Sequence, residues 1–175
     1  RRIFEGMACG KMVLTDNLPP EKGLRDIFID GEDIVYYDDM FDCIEKLNFY
    51  NENEEERERI AYNGMQKVLN NYTQIQVVDK LIEKIKMRMS KLVIGDGRRN
   101  CDMGPLVTKE HRDKVAGYID LAINDGAKVV VDGRGIKVDG EPNGFWLGPT
   151  LIDQVPTSSK VYQEEIFGPV LSIVR

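Results

Sequence analysis

The run Glu164-Glu165-Ile166-Phe167-Gly168-Pro169-Val170, which continues through Leu171-Ser172-Ile173-Val174, carries the clearest indication of fold in this sequence. Its Gly-Pro pair is typical of a turn, and the apolar, β-branched stretch after it predicts a strand. An ionised carboxylate only accepts hydrogen bonds, so Glu165 can accept from both vicinal hydroxyls of a ribose, while the Phe167 ring can pack on a planar heterocycle. On residue types alone the plainer interpretation is preferred, with Glu165 solvated and Phe167 in the core.

Two further motifs precede this run. Asp102-Met103-Gly104-Pro105-Leu106 is the first, and Gly144-Phe145-Trp146-Leu147-Gly148-Pro149-Thr150 is the second. Between them, Thr108 can cap a helix that Gly126 would close, and a strand is predicted at 128–131. The apolar face of that helix is expected at Val115, Ile119, Ala122 and Ile123. An extended strand is expected from Phe145 to Ile152.

In this order and spacing the three motifs resemble the aldehyde dehydrogenase superfamily, and within it the CoA-acylating methylmalonate-semialdehyde branch. Residues 91–175 are therefore predicted to form part of an aldehyde dehydrogenase catalytic domain. The resemblance implies NAD as cofactor, and an aldehyde and CoA as substrates. It also implies that Glu165 contacts the ribose of NAD and that Phe167 lies on the nicotinamide side.

No residue is predicted to be catalytic. The family's nucleophile is a cysteine in a Gly-Gln-x-Cys context upstream of the Gly95-Asp96-Gly97 segment, and nothing in the chain matches it. Cys9, Cys43 and Cys101 are interpreted as bystanders, and His111 as a surface residue. The family's nucleotide-binding sheet also lies upstream of the matched stretch. The fragment is therefore expected to be inactive alone, and without that sheet two residues are not expected to hold a dinucleotide.

The amino-terminal half has a different character. Arg2-Ile3-Phe4-Glu5-Gly6-Met7-Ala8-Cys9-Gly10, and later Phe28 to Val35 and Glu55 to Gly64, resemble the last part of a GT-B (group 1) glycosyltransferase. Residues 1–85 are accordingly predicted to be a Rossmann-like remnant of such an enzyme. The resemblance implies that Glu5 opens a helix and contacts the ribose of a sugar nucleotide. The alternative is an exposed Glu5 without a ligand.

The whole chain is therefore predicted to be α/β, with two partial α/β units joined between about Val77 and Lys91. In the first unit, strands are expected at 12–16 and 33–37. Three helices are also expected. The first follows Asp39 and the second follows a polar cap at 51–53, while the third runs from Gln74 to about Lys91. The apolar residues of the first helix are Phe41, Ile44, Leu47 and Phe49.

Three functions stay open: a dehydrogenase fragment, a glycosyltransferase fragment that binds a sugar nucleotide, or a non-catalytic fusion product. Sheets that lack some of their family's strands have unpaired edges, so self-association of the chain is also expected.

Composition and charge argue against several other classes of protein. Hydrophobic residues make up 42% and charged residues 31%, the balance of a globular protein. The net charge is −6, which is distributed as −5 over residues 1–90 and −1 over residues 91–175, so no basic face for nucleic acid is expected. No apolar run is long enough for a membrane span. Three scattered cysteines predict a reducing cytoplasm, and with one histidine no metal site is expected.

Overall fold

The structure is a computed structural model that describes residues 2–175, and it confirms the α/β class. The described chain separates into two compact units, one that ends at Leu81 and one from Ile82 to Arg175. The first unit contains α1 (Arg2–Ala8), β1 (Leu14–Asp16), β2 (Val35–Tyr37), α2 (Met40–Glu52) and α3 (Glu54–Asn71). The unit boundary falls within α4 (Gln74–Met89). The second unit continues with α5 (Lys109–Asn124), β3 (Lys128–Val131), β4 (Thr150–Asp153), α6 (Lys160–Gln163) and β5 (Val170–Ser172).

A parallel pair of strands lies in the first unit, with Leu14 opposite Val35 and Asp16 opposite Tyr37. Both strands are shorter than predicted. For β2 the reason is that the residues before it form a turn, in which the Gly31 amide donates to the Ile34 carbonyl oxygen at 2.8 Å. The strand predicted at 12–16 is also less buried than expected, since Leu14 is only half-buried and Asp16 is exposed.

The core of this unit is an aromatic cluster. The Phe4 ring lies 5.3 Å from the Phe28 ring and 5.7 Å from the Tyr72 ring, between ring centroids, in edge-on arrangements that aromatic pairs favour. Met7 and Ile34 are fully buried beside them. Helix α1 is therefore held by apolar side chains of its own sequence motif.

Helix α2 departs from its predicted packing. Its amino end is capped by Asp39, whose carboxylate accepts from the amides of Phe41 and Asp42 at 2.8 and 2.9 Å. The apolar set predicted for its core face, however, is exposed, with Phe41 at 80%, and no residue of α2 is buried. Asn53 is the N-cap residue of α3, within the predicted 51–53, but its side chain donates back to the Phe49 carbonyl oxygen and makes no cap hydrogen bond to α3.

The second unit is built on a three-stranded sheet in the order β3-β4-β5. Strand β3 is antiparallel to β4, and β4 is parallel to β5, with Thr150 opposite Val170. All four residues of β4 are buried. Helix α5 packs on this sheet through Val115, Ile119 and Ala122, as predicted, whereas Ile123 is 47% exposed and Tyr118 is buried instead.

The stretch from Phe145 to Leu147 is not a strand, although it was predicted as one. Trp146 and Leu147 are buried, and the indole Nε1–H donates to the Glu141 carbonyl oxygen at 2.9 Å. The strand begins only at Thr150, after Gly148-Pro149. Among residues 2–175, no helix is long and apolar enough to cross a membrane.

Candidate functional site

The segment Glu164–Pro169 leaves α6 and enters β5 without forming a regular element. Glu165 is exposed and makes no side-chain hydrogen bond or ion pair with the residues that the structure describes. The Phe167 side chain is 69% exposed. The interpretation of Phe167 as a core residue is therefore wrong, and both side chains predicted for nucleotide contacts face away from the core.

Three residues of α5 hold this segment. The Tyr118 hydroxyl donates to Glu164 Oε2 at 2.5 Å, and His111 Nε2 lies 2.6 Å from the Phe167 carbonyl oxygen. Between them, Val115 lies so close to Gly168 that a Cβ at position 168 would be 2.6 Å from Val115 Cγ1. Residues 111, 115 and 118 are spaced along one face of a helix. A single helix face thus orients the segment over its length.

A groove of about 560 Å³ lies beside the segment. It is lined by residues 166–169 of this segment, by the motif from Met103 to Val107 and by His111. The volume falls within the range typical of small-molecule sites. The structure therefore brings the first and third sequence motifs together at one groove, although more than fifty residues separate them in the chain.

Sequence reasoning missed two of the residues that organise this site. His111 is half-buried rather than a plain surface residue, and Tyr118 was absent from the predicted apolar face. The indication in the sequence was their spacing with Val115, which places all three on one side of the helix that Thr108 caps. The Thr108 hydroxyl oxygen accepts from the His111 amide at 3.1 Å, as the predicted cap requires.

The hydrogen bond between Tyr118 and Glu164 also has an electrostatic consequence. The pKa of Tyr118 is raised, first because its hydroxyl donates to the Glu164 carboxylate, then because of burial and the negative charge of Glu164. A tyrosinate beside a carboxylate would repel it and lose the hydrogen bond. Tyr118 therefore remains a neutral donor through the physiological range, and Glu164 is committed to it rather than to a ligand.

Glu5 lies in the first turn of α1 as the fourth residue of that helix, and it is exposed. The helix that Glu5 was predicted to open is described from Arg2 onward. The backbone of this turn is regular, since the Glu5 carbonyl oxygen accepts from the Cys9 amide at 3.1 Å.

The cysteines are free and scattered. Cys9 is exposed, and Cys43 and Cys101 are half-buried. Cys101 Sγ lies 3.9 Å from the Arg99 carbonyl oxygen. Within the described part of the chain, no group of three or more potential ligands is arranged to hold a metal ion.

The residues that line this groove lie in a part of the chain that matches a known protein family. Residues 70–175, more than half of the chain, match the sequence model of the aldehyde dehydrogenase family. The chain belongs to the aldehyde dehydrogenase family. The malonate-semialdehyde dehydrogenase of Pseudomonas aeruginosa is 52% identical over 101 residues, which are 57% of this chain and 20% of that protein. The chain thus spans about a fifth of the length of the curated relatives it matches.

Solved structures of aldehyde dehydrogenases show the same likeness. The methylmalonate-semialdehyde dehydrogenase from Oceanimonas doudoroffii is 46% identical, with a TM-score of 0.56 over 59% of this chain and 21% of that chain. A betaine aldehyde dehydrogenase variant from Staphylococcus aureus in complex with NAD+ is 35% identical, with a TM-score of 0.54 over 57% of this chain and 20% of that chain. The predicted resemblance of the carboxyl-terminal part to aldehyde dehydrogenases is confirmed.

Residues 1–83 match a second sequence model, described as glycosyl transferase-like. The match covers less than half of this aldehyde dehydrogenase family member and supports the predicted glycosyltransferase resemblance only weakly. The two matched ranges overlap at residues 70–83, a stretch that includes the first ten residues of α4.

Proposed function

We propose that the segment Glu164–Pro169 is the nicotinamide-nucleotide contact of an NAD-dependent, CoA-acylating aldehyde dehydrogenase, of which this chain carries a fragment. The observation that carries the proposal is the exposed Glu165, unpaired among the described residues, which directly precedes the groove-lining pair of Ile166 and the exposed Phe167. Structures of relatives with bound NAD agree with this cofactor class.

The residues fit the nicotinamide riboside part of such a cofactor. The Glu165 carboxylate has no competing partner among residues 2–175, so it is available to accept from the two ribose hydroxyls. The Phe167 ring offers a flat apolar surface to the nicotinamide, and the groove behind it is large enough for one ring and its amide. NAD, when bound, accepts a hydride. Glu165 and Phe167 bind and orient it, and neither takes part in bond making.

The substrate class of the proposed parent enzyme is a short semialdehyde with CoA as the acyl acceptor. The names of the relatives, malonate- and methylmalonate-semialdehyde dehydrogenases, support this choice. Oxidation of an aldehyde through a thiohemiacetal needs a thiolate nucleophile. Since Cys101 and the other two thiols lie outside the groove beside Phe167, we propose that this chain alone does not turn over.

Saturation-transfer NMR with nicotinamide mononucleotide tests the binding site. We expect binding with a dissociation constant of about 1 mM or weaker, since two contacts supply only about 4 kcal/mol. Glu165→Gln and Phe167→Ala should each abolish the transfer signal on the nicotinamide protons. The matched controls are Glu58→Gln and Phe41→Ala, which alter an exposed Glu and an exposed Phe of the other unit. Equal signals from all four variants would refute the site.

The inactivity is tested separately. The purified chain is mixed with NAD, methylmalonate semialdehyde and CoA, and NADH is followed by its near-ultraviolet absorbance. No NADH is expected above the blank. NADH formation that depends on Cys101, lost in Cys101→Ser, would show that the assignment of Cys101 as a bystander is wrong.

A second candidate rests on the glycosyl transferase-like match of residues 1–83 and on the parallel pair of β1 and β2. In this alternative Glu5 contacts the ribose of a nucleoside diphosphate sugar. Isothermal calorimetry with uridine and guanosine diphosphate sugars at millimolar concentration tests it. Heat of binding that Glu5→Gln removes would favour this function, and no heat would eliminate it.

A further inference from the structure

A side chain of α5 ends on the backbone of the proposed cofactor segment. His111 Nε2 lies 2.6 Å from the carbonyl oxygen of Phe167, and the two residues are 56 positions apart in the chain. A carbonyl oxygen is only an acceptor, so the imidazole nitrogen that faces it carries the proton. His111 is therefore a donor to the peptide that follows the Phe167 ring.

The donor itself is well anchored. His111 is the third residue of α5, and its amide donates to the Thr108 hydroxyl oxygen at 3.1 Å in the cap of that helix. His111 is half-buried and lines the groove. A helix is more rigid than an irregular segment. The hydrogen bond therefore lets α5 restrain the segment, and the segment has little effect on α5.

The backbone around Phe167 is held by its own turn and by the close approach of Gly168 to Val115, whereas the Phe167 ring is loosely packed. The Phe167 side chain is 69% exposed, so packing does not determine where the ring points. The following Gly168 amide donates to the Ile166 carbonyl oxygen at 2.9 Å, which closes a tight turn around Phe167. The carbonyl of Phe167 points to His111 across that turn. Without this donor, the peptide between Phe167 and Gly168 loses its restraint at the carbonyl oxygen, and the turn and the contact of Gly168 with Val115 remain.

We infer that His111 is a positioning residue for the nicotinamide site, which acts by donating Nε2–H to the Phe167 carbonyl and thereby fixing the direction of the Phe167 ring. This inference rests on the proposed function for its ligand. Its structural part does not depend on the ligand, since the hydrogen bond is present in the protein alone.

Two variants of the full chain separate the effect of the hydrogen-bond donor at position 111 from the effect of the size of that side chain. His111→Leu removes the donor and leaves an apolar side chain of similar size, whereas His111→Gln restores an N–H at a similar reach. Lys114→Leu, an exposed substitution on the same helix, is the control. Hydrogen exchange of the Gly168 amide, measured by NMR without ligand, should rise about two- to tenfold in His111→Leu, the factor for one lost hydrogen bond. It should remain at the wild-type rate in His111→Gln and in Lys114→Leu.

Nicotinamide mononucleotide affinity is measured on the same samples, whose helical circular dichroism confirms that they are folded. His111→Leu is expected to bind about two- to tenfold more weakly, with recovery in His111→Gln. Two results overturn the inference and leave the proposed function standing. One is a Gly168 exchange rate in His111→Leu equal to that of the wild type. The other is a wild-type protein that binds the mononucleotide with the same affinity as His111→Leu. No binding by the wild-type protein overturns the proposed function, and with it the cofactor role of His111.

Discussion

Gly168 shows how one residue connects the candidate site to the core. The segment that carries Phe167 approaches α5 so closely at this point that a methyl group at position 168 would lie 2.6 Å from Val115 Cγ1 and 3.0 Å from Cγ2. Val115 is 1% exposed and cannot move without disturbing the buried face of α5. Glycine is needed here for space, and the close approach places the His111 donor within reach of the Phe167 carbonyl oxygen.

A double-mutant cycle tests this contact. Gly168→Ala should destabilise the protein by about 1–3 kcal/mol through overpacking against Val115. In a Val115→Ala background the γ-carbons are absent, so the added cost of Gly168→Ala should fall below about 1 kcal/mol. Urea denaturation followed by the fluorescence of Trp146 measures both. Equal costs in the two backgrounds would mean that the methyl group meets something other than Val115.

The hydrogen bond from Tyr118 to Glu164 predicts a dependence on alkaline pH. Because the folded-state pKa of Tyr118 lies above its ordinary value of 10.0, the bond contributes its full stability below pH 10 and loses it as the pH rises through the folded-state pKa. The stability difference between wild type and Tyr118→Phe should therefore be constant from about pH 7 to about pH 9 and shrink above about pH 10. Chemical denaturation at several pH values measures it, and a difference that grows with alkaline pH would contradict the sign.

Two helices differ in how far their sequence patterns predict their packing. Helix α5 buries the residues that its periodicity marks, and it also presents His111, Val115 and Tyr118 to the site. Helix α2 has an equally good cap and apolar set, yet none of its residues is buried. Periodicity predicts that a helix forms and which side is apolar, but it does not determine whether a partner covers that side.

Mid-helix glycines in α3 and α5 should respond in opposite directions to the same substitution. A Cβ at Gly64 would lie 2.5 Å from the Asp33 carbonyl oxygen, so Gly64→Ala should destabilise by about 1–3 kcal/mol. Gly117 has open space around it, so Gly117→Ala should stabilise by about 0.5–1 kcal/mol through helix propensity alone. Urea denaturation followed by helical circular dichroism gives both values, and changes of the same sign would refute the packing at one of the two positions.

On the scale of the whole molecule, the sheet of the second unit has β3 and β5 as its edges. Leu171 in β5 is 46% exposed. An apolar strand with an unpaired edge is a template for pairing with another chain. We therefore propose that the chain self-associates through this edge, in line with the association expected from the sequence.

Sedimentation velocity over a concentration series tests the association. The weight-average sedimentation coefficient should rise with concentration in the wild type, and Leu171→Lys should suppress the rise by placing a charge at the edge. Phe41→Lys removes an even more exposed apolar side chain from α2 and is the control. A monomer at every concentration would refute the association. Suppression by Phe41→Lys alone would assign it to the surface of α2 instead.

Much of this protein was determined by local sequence. The Thr108 cap, the strand at Lys128–Val131 and the α/β class follow from residues adjacent in the chain, because capping, β-branching and turn formation act over a few positions. The run Glu164 to Val170 predicted a turn and a strand for the same reason, whereas the contact roles of Glu165 and Phe167 came only from the resemblance to aldehyde dehydrogenases.

Tertiary structure alone decided what holds the site together. The contacts of His111 with Phe167 and of Tyr118 with Glu164 join residues 56 and 46 positions apart, and no local pattern specifies such a pair. The exposure of Phe41 and the burial of Trp146 outside any strand were settled in the same way. Burial depends on which surfaces meet when the chain collapses, and those surfaces come from distant segments whose relative placement a short stretch of sequence does not contain.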